Sequence, residues 1–279
     1  MKQFKDKVAV ITGGASGIGL ALARRAAAEG MQLVLADIEQ GPLAAAAAEL
    51  KAAGARVLTV RTDVSRAAEV DNLAAQTLRA FGGAHLVFNN AGVGGVRVKA
   101  WQATARDWEW VLGVNVWGVI HGVRVFTPIM LRQDDEGHIV NTASAAGFVS
   151  MASTAPYAVS KHSVVTLSEV LYHDLKAENA KVGVSVLCPA WVGTNIWNSQ
   201  RNRPEDLRDR ADTAEERTRR EELRTLLEKG KVTAADVADM TFEGIANDRF
   251  YIFPHPKIRR DIQTRMEDII ELRNPTRTA

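Results

Sequence analysis

Tyr157 and Lys161, in the run Pro156-Tyr-Ala-Val-Ser-Lys161, carry the first chemical signal of this chain. Residues four apart on a helix share a face, so the ammonium lies on the same side as the phenol. A phenol has a reference pKa near ~10, and a nearby positive charge favours its ionised form. A tyrosine tuned in that way is an acid or base suited to moving the proton of an alcohol. The four-residue spacing arises often by chance, and its weight comes from the elements that would position it.

Those elements alternate. Short runs rich in Val, Ile and Leu at 8–12, 32–36, 56–62, 85–89, 138–142, 182–188 and 251–253 predict strands. Helical patterns at 20–29, 43–53, 67–81, 104–131 and 157–177 fill most of the intervals. Apolar strands without alternation, separated by helices, predict a parallel sheet covered on both faces. The expected fold is therefore α/β, a doubly wound Rossmann-type parallel sheet, in a single domain spanning 1–279 with no linker or internal repeat. Strand one runs into Thr12-Gly-Gly-Ala-Ser16-Gly17-Ile18-Gly19 and then directly into a helix. Gly13, Gly17 and Gly19 give a GxxxGxG spacing that permits a tight turn and a close backbone approach to a pyrophosphate. The helix N-terminus stabilises that charge.

Asp37 closes the second strand, where a carboxylate hydrogen-bonds the ribose hydroxyls of an adenosine and repels a 2′-phosphate. No basic residue follows at Ile38, and Ser16 stands where one could have met that phosphate. NAD is thus expected over NADP. Asp63 and Val64, after strand three, are placed to meet the adenine edge. Asn89-Asn90-Ala91-Gly92, after strand four, offers polar groups and a flexible turn near the ribose and nicotinamide.

With these pieces in order, the chain resembles the short-chain dehydrogenase/reductase family, in its shorter single-domain branch. The likeness spans about 5–196 and rests on the glycine turn (12–19), Asn89–Gly92, Asn115, Ser144, Tyr157, Lys161 and the stretch ending at Thr194. The resemblance implies Tyr157 as general acid/base and Ser144 as the hydrogen-bond partner of the substrate oxygen. Lys161 would bind the nicotinamide ribose and depress the pKa of Tyr157, and Asn115 would hold a water in a proton relay to Lys161. Asp37 would select NAD, with Asp63, Val64 and Asn90 around adenine and ribose, and Val192 and Thr194 at the nicotinamide. Ala190 departs from the family, which has glycine there, so a small shift of that loop is expected. The implied activity is interconversion of a secondary alcohol and its ketone. A non-catalytic NAD(H)-binding redox sensor is the alternative, and an epimerase or dehydratase would also use the Tyr-Lys pair. Relatives use the helices equivalent to 104–131 and 157–177 to form dimers and tetramers, so a homotetramer or homodimer is expected.

From 199 to 231 the chain is dense in both charge signs, opening with Arg201, Arg203, Glu205, Asp206, Arg208, Asp209 and Arg210. Following a late strand end, 190–231 reads either as a substrate-binding lid or as solvated helices. Residues 93–101 with Trp101, residues 145–148, Trp191, Ile196 and Trp197 are candidate walls of a bulky, apolar or aryl pocket, the alternative being that Trp101 and Trp197 only pack the lid or core. The tail 250–255 resembles a subgroup of bacterial dehydrogenases for bulky aryl secondary alcohols, including Cα-dehydrogenases of lignin-type dimers.

Composition narrows the rest. A net charge of +2 is too small to argue for nucleic acid or an anionic membrane as partner. No apolar run reads as long enough to span a bilayer, and the chain enters its first strand with no room for a signal peptide. Cys188 is the only cysteine, which excludes an intramolecular disulfide and points to a reducing, cytoplasmic setting. The six histidines show no ligand spacing, so no metal is expected. Ser144 lacks the GxSxG context of a hydrolase nucleophile.

Overall fold

Strand β1 (Val8–Thr12) is buried at all five positions. Its Ala9 and Ile11 enter the core on one face of the sheet, and Val8 and Val10 enter the core on the other. That division follows from the alternation of side chains along a strand, and it demands helices on both faces. The computed structural model of the protein describes residues 1–208, 211 and 213–276. It places β2 (Gln32–Asp37), β3 (Val57–Arg61), β4 (Leu86–Asn89), β5 (Gly137–Thr142), β6 (Val182–Leu187) and β7 (Tyr251–Ile252) with β1 in one sheet of order β3-β2-β1-β4-β5-β6-β7. Every pairing is parallel.

Helices α1 (Gly17–Ala28), α2 (Gln40–Ala52) and, from near the C-terminus, α8 (Ala234–Ala246) cover one face through Leu22, Leu43, Leu50 and Phe242. Helix α3 (Ala67–Phe81) with α5 (Gly118–Gln133) and α6 (Ala155–Ala177) covers the other through Leu73, Phe126, Met130 and Leu171. The chain turns outward from β1 in opposite senses toward β2 and β4. The carboxyl ends of β1 and β4 therefore border the crevice where ligands bind in such sheets. The expected doubly wound fold is the one observed.

The helix predicted at 104–131 is α4 (Ala105–Leu112), a π-helical turn at Gly113–Trp117, and α5, joined without a break. Thr104 caps it, accepting from the Asp107 N–H at 3.2 Å while Asp107 accepts from the Thr104 N–H at 2.9 Å. The resulting helix, Ala105–Gln133, has 29 residues and an 18-residue window of mean hydropathy 1.3 that is 50% buried. By length and composition it is long and apolar enough to cross a bilayer, which corrects the expectation that no such run exists. Asn115, His121 and Arg124 interrupt it, which hides it from a reading by contiguous apolar runs. In the fold it is a core helix packed on the sheet.

Helices α7 (Ala214–Glu228) and α9 (Ile258–Ile270) complete the described chain. Helices α8 and α9 were not anticipated individually. The signal for α8 was a capping box, in which Thr233 accepts from the Asp236 N–H at 3.1 Å.

Candidate active site

The turn after β1 is built by Thr12. Its hydroxyl accepts from the backbone N–H groups of Asn90 (2.9 Å) and Ala91 (3.1 Å), stitching β1 to the end of β4. Gly13 has φ +66°, and a Cβ there would lie 2.9 Å from Ala91 Cα, so both the backbone angle and the space require glycine. Ser16 starts α1 without spending its side chain on the helix N–H groups. Those donors face a cavity of about 810 Å³. Gly13, Ser16, Gly17, Ile18, Gly19, Asp37, Ile38, Asp63, Val64, Asn90, Val192 and Thr194 all line that cavity. So do Ser144, Tyr157 and Lys161.

Asp37 accepts from the N–H groups of Ala15 (3.1 Å) and Glu39 (3.0 Å). Burial raises its pKa, and these amides pull against the rise. Asp63 accepts from the N–H and hydroxyl of Ser65 at 3.0 and 2.6 Å. Asn90 spends its amide within the protein, donating to the Thr12 carbonyl at 3.0 Å. It therefore fixes the cavity floor, although it remains part of the lining. A helix N-terminus with free N–H groups, a turn where side chains do not fit, and a carboxylate one strand away form a donor set that fits a dinucleotide.

Asn115 sits in the π-helical turn, fully buried. Its Oδ1 accepts from the Val93 N–H at 2.8 Å, and its amide donates to the Val93 carbonyl and the Ser160 hydroxyl, each at 3.0 Å. It ties the loop after β4 to α6. A Cβ on Gly92 would lie 3.3 Å from Asn115 Oδ1 and 3.6 Å from Lys161 Nζ, so the two groups flank one small space.

Ser144, just beyond β5, accepts from the Ala146 N–H at 3.2 Å and donates to the Pro189 carbonyl at 3.3 Å. Tyr157 is half-buried in the first turns of α6. Burial pushes its phenol above the ordinary range, while the Ser144 hydroxyl and the charge of Arg97 pull it down. Lys161 is only 3% exposed and donates to the Thr142 carbonyl at 2.9 Å. Burial pushes its ammonium down to about 8. Its Nζ lies 5.7 Å from the centroid of the Tyr157 ring. Two positive charges thus stand near the phenol, Arg97 and the Lys161 ammonium, the latter donating to the Thr142 carbonyl.

The segment 190–231 borders the cavity, and several contacts tether it. Among its opening charges, Asp209 and Arg210 lie outside the described residues. Arg201 makes a bidentate pair with Glu39, at 3.0 and 2.6 Å, and holds the Asn195 and Asn198 carbonyls of its own segment. The Arg201 hydrogen bonds keep the Glu39 carboxyl below its usual range. Arg203 pairs with Asp107 at 2.7 Å in a buried salt bridge over the Trp110 ring. The Gly94 N–H donates to Ser199 at 3.0 Å. Arg201→Ala is expected to speed amide exchange across 195–202 by ~fivefold, the equivalent of about 1 kcal/mol for a part-exposed pair. Exchange mass spectrometry on both proteins reads this, and unchanged rates would show that the other tethers suffice.

Ala190 packs its methyl beside Val149, Ile258 and Phe253. Its N–H donates to His255 Nδ1 at 3.2 Å, and His255 Nε2 faces the Trp191 carbonyl at 3.2 Å. That arrangement makes Nδ1 the acceptor and Nε2 the donor, and burial keeps the ring neutral by lowering its pKa. His255 thus supports the loop at the place where glycine is absent.

The aromatic wall differs from expectation. Trp101 is 81% exposed, lying under Lys99 in a short turn outside the cavity, and Trp197 stacks beneath Arg224. Both are taken up by surface cations. Phe148 packs against Tyr251 and Phe253 instead. Trp110 and Trp191 line the cavity, with Val96, Val149, Met151, Ile196, Leu223 and Leu226. Arg97 falls in the stretch 93–101 and Leu223 and Leu226 in the stretch 190–231 that were expected to border the substrate, whereas Trp110, which belongs to no motif, was not anticipated. His121 does not line the cavity; it stacks on Trp117. Among the described residues no group of three or more His, Cys, Asp or Glu side chains is arranged to hold a metal.

Comparison with known proteins agrees with this geometry. The family model described as short chain dehydrogenase matches residues 7–205. A short-chain dehydrogenase/reductase from Burkholderia phymatum, crystallised in complex with NAD, is 52% identical, with a TM-score of 0.97 over 100% of this chain and 99% of that one. The 1-deoxy-11-beta-hydroxypentalenate dehydrogenase of Streptomyces avermitilis is 36% identical over 95% of this chain and 89% of its own length. The C alpha-dehydrogenase of a Sphingobium species is 31% identical over 97% and 88%. The chain belongs to the short-chain dehydrogenase/reductase family, a family of oxidoreductases.

Proposed function

We propose that the protein is an NAD-dependent dehydrogenase that interconverts a bulky secondary alcohol and its ketone. The observation that carries this reading is that Tyr157, Ser144 and Lys161 open into the same cavity as the glycine turn and Asp37. NAD, when bound, accepts the hydride of the carbinol carbon or returns it to the ketone. In the oxidative direction the Tyr157 phenolate takes the hydroxyl proton, and in the reductive direction the phenol gives it back. Ser144 holds the substrate oxygen beside the phenol. A water in the space flanked by Asn115 and Lys161 would continue the proton path toward Lys161. The apolar wall supports a bulky substrate, and the two relatives named above carry dehydrogenase names of that kind.

The test follows NADH absorbance with NAD or NADP and a panel of aliphatic, alicyclic and aryl secondary alcohols. Turnover with NAD on the bulky members is expected. Silence across the panel while NAD still binds would overturn the reading.

Asp37 supplies the coenzyme preference in this reading. Asp37→Ser should weaken NAD about tenfold or more, because hydrogen bonds to a charged group are worth ~1.5–3 kcal/mol. It should also narrow the NAD-over-NADP ratio, since the charge facing a 2′-phosphate is gone. Steady-state kcat/KM for both coenzymes measures this, and an unchanged ratio would assign the preference elsewhere.

We also propose self-association through the helix Ala105–Gln133 and α6, supported by exposed Trp117 (53%) on the π-helical turn of the first and Val159 (46%) and Val170 (52%) on the second.

A further inference from the structure

Arg97 stands in the loop after β4, half-buried and in the lining of the same cavity as Tyr157 and Ser144. Its backbone is fixed, since the Arg219 guanidinium donates to the Arg97 carbonyl at 2.7 Å. Its own guanidinium is different. Among the described residues, no carboxylate comes within ion-pair distance of it and no acceptor takes its hydrogen bonds. Tyr157 and, from a distance, Glu222 attract it, and Arg219 repels it.

A half-buried guanidinium with no protein partner gives up part of its hydration at a cost that no hydrogen bond offsets. A ligand that brings an acceptor removes that cost, and the planar fork matches a carboxylate in two parallel hydrogen bonds. The other cations that line the cavity are placed otherwise. Arg201 is taken by Glu39, Lys161 by the Thr142 carbonyl, and Lys229, Lys231 and Lys257 are solvent-exposed. Val96 and Leu223 line a small pocket with Arg97, together with the polar Gln200, Glu216 and Arg220, and the wall of the large cavity includes the apolar Trp110 and Leu226.

We propose that Arg97 receives a carboxylate of the substrate, so that the alcohol is an apolar hydroxy acid, with its anionic end held near the carbinol. The alcohol-dehydrogenase reading supplies the carbinol in this inference, while the anion site itself rests on Arg97.

The test separates the two. Calorimetry on the enzyme saturated with NADH compares 3-phenylpropionate with its methyl ester, in wild type, Arg97→Met and Arg97→Lys. Wild type should prefer the acid by about tenfold to a hundredfold, the size of charge-assisted hydrogen bonds. Arg97→Met should abolish the preference and Arg97→Lys should keep part of it. NADH affinity and melting temperature, read on the same samples, establish that each variant is folded, and Arg97→Gln repeats the charge removal with a polar side chain. Equal binding of acid and ester, or a preference that survives in Arg97→Met, would overturn the inference. Turnover of 3-hydroxy-3-phenylpropionate and its methyl ester is read in parallel. Acid-selective binding without oxidation of either compound would sustain the anion site and count against the dehydrogenase reading. Equal oxidation of both without binding preference would do the reverse.

Discussion

Tyr157→Phe should lower turnover by about 10²–10⁴ while NAD binds as before, because proton transfer by a positioned side chain is typically worth that factor. In barrier terms the loss is about 3–5 kcal/mol, at 1.4 kcal/mol per decade. The substitution keeps the ring that packs at the start of α6 and removes only the hydroxyl beside Ser144. Stability should therefore change little. The pH profile tests the same idea from another side. Burial holds the Tyr157 phenol above its ordinary range and the Lys161 ammonium down to about 8. If oxidation needs phenolate together with ammonium, the active form gains phenolate tenfold per pH unit below about 8. Above that point each gain in phenolate is offset by loss of ammonium, so log kcat/KM rises and then levels. Reduction, which needs phenol with ammonium, is flat below the same point and falls above it. A bend near pH 8 shared by both directions is expected, and a profile that shows no bend there would separate Lys161 from the proton chemistry. Near-normal turnover of the phenylalanine variant would end the mechanism itself.

Much of this was legible in the sequence because it depends on local spacing. The glycine turn, Asp37 at a strand end and the Tyr157–Lys161 pair are each fixed by a few neighbouring residues, and the parallel sheet covered on both faces follows from the alternation of strands and helices. What escaped depends on side chains distant in sequence meeting in space. The stretch 93–101 was legible as a wall, but Arg97 is singled out within it only once the loop after β4 is held by Asn115 and by Arg219 of α7. The tryptophans illustrate the same limit: Trp101 and Trp197 met surface cations, whereas Trp110 faced inward beneath Arg203. Even for Lys161, helical spacing gave the shared face but not the hydrogen bond that its ammonium donates to the Thr142 carbonyl. The π-helical turn at Asn115 is a further case, since a one-residue expansion leaves no trace in hydrophobic periodicity.

Gly19→Ala is expected to be the most damaging single methyl added to the coenzyme half of the cavity. A Cβ at Gly19 would lie 2.0 Å from the Gly13 carbonyl oxygen and 2.7 Å from Asn90 Nδ2. The first of these is backbone, held in turn by Thr12 and Ala91, so it cannot swing away as a side-chain end would. Either α1 lifts from the turn or the turn itself opens, and each movement displaces the N–H groups that face the cavity. Overpacking of this kind costs ~1–3 kcal/mol, occasionally more. If that cost falls on the bound state, NAD affinity drops by up to about two decades. Gly41→Ala is the matched control, because a Cβ there meets nothing within 4 Å on the exposed start of α2. It should leave affinity unchanged and raise stability slightly, as alanine does in place of helical glycine. Thermal melts and NADH fluorescence titration read both variants together. Equal behaviour of the two would mean that the turn accommodates a methyl by relaxing, and that close approach of α1 to the turn is not what shapes the coenzyme site.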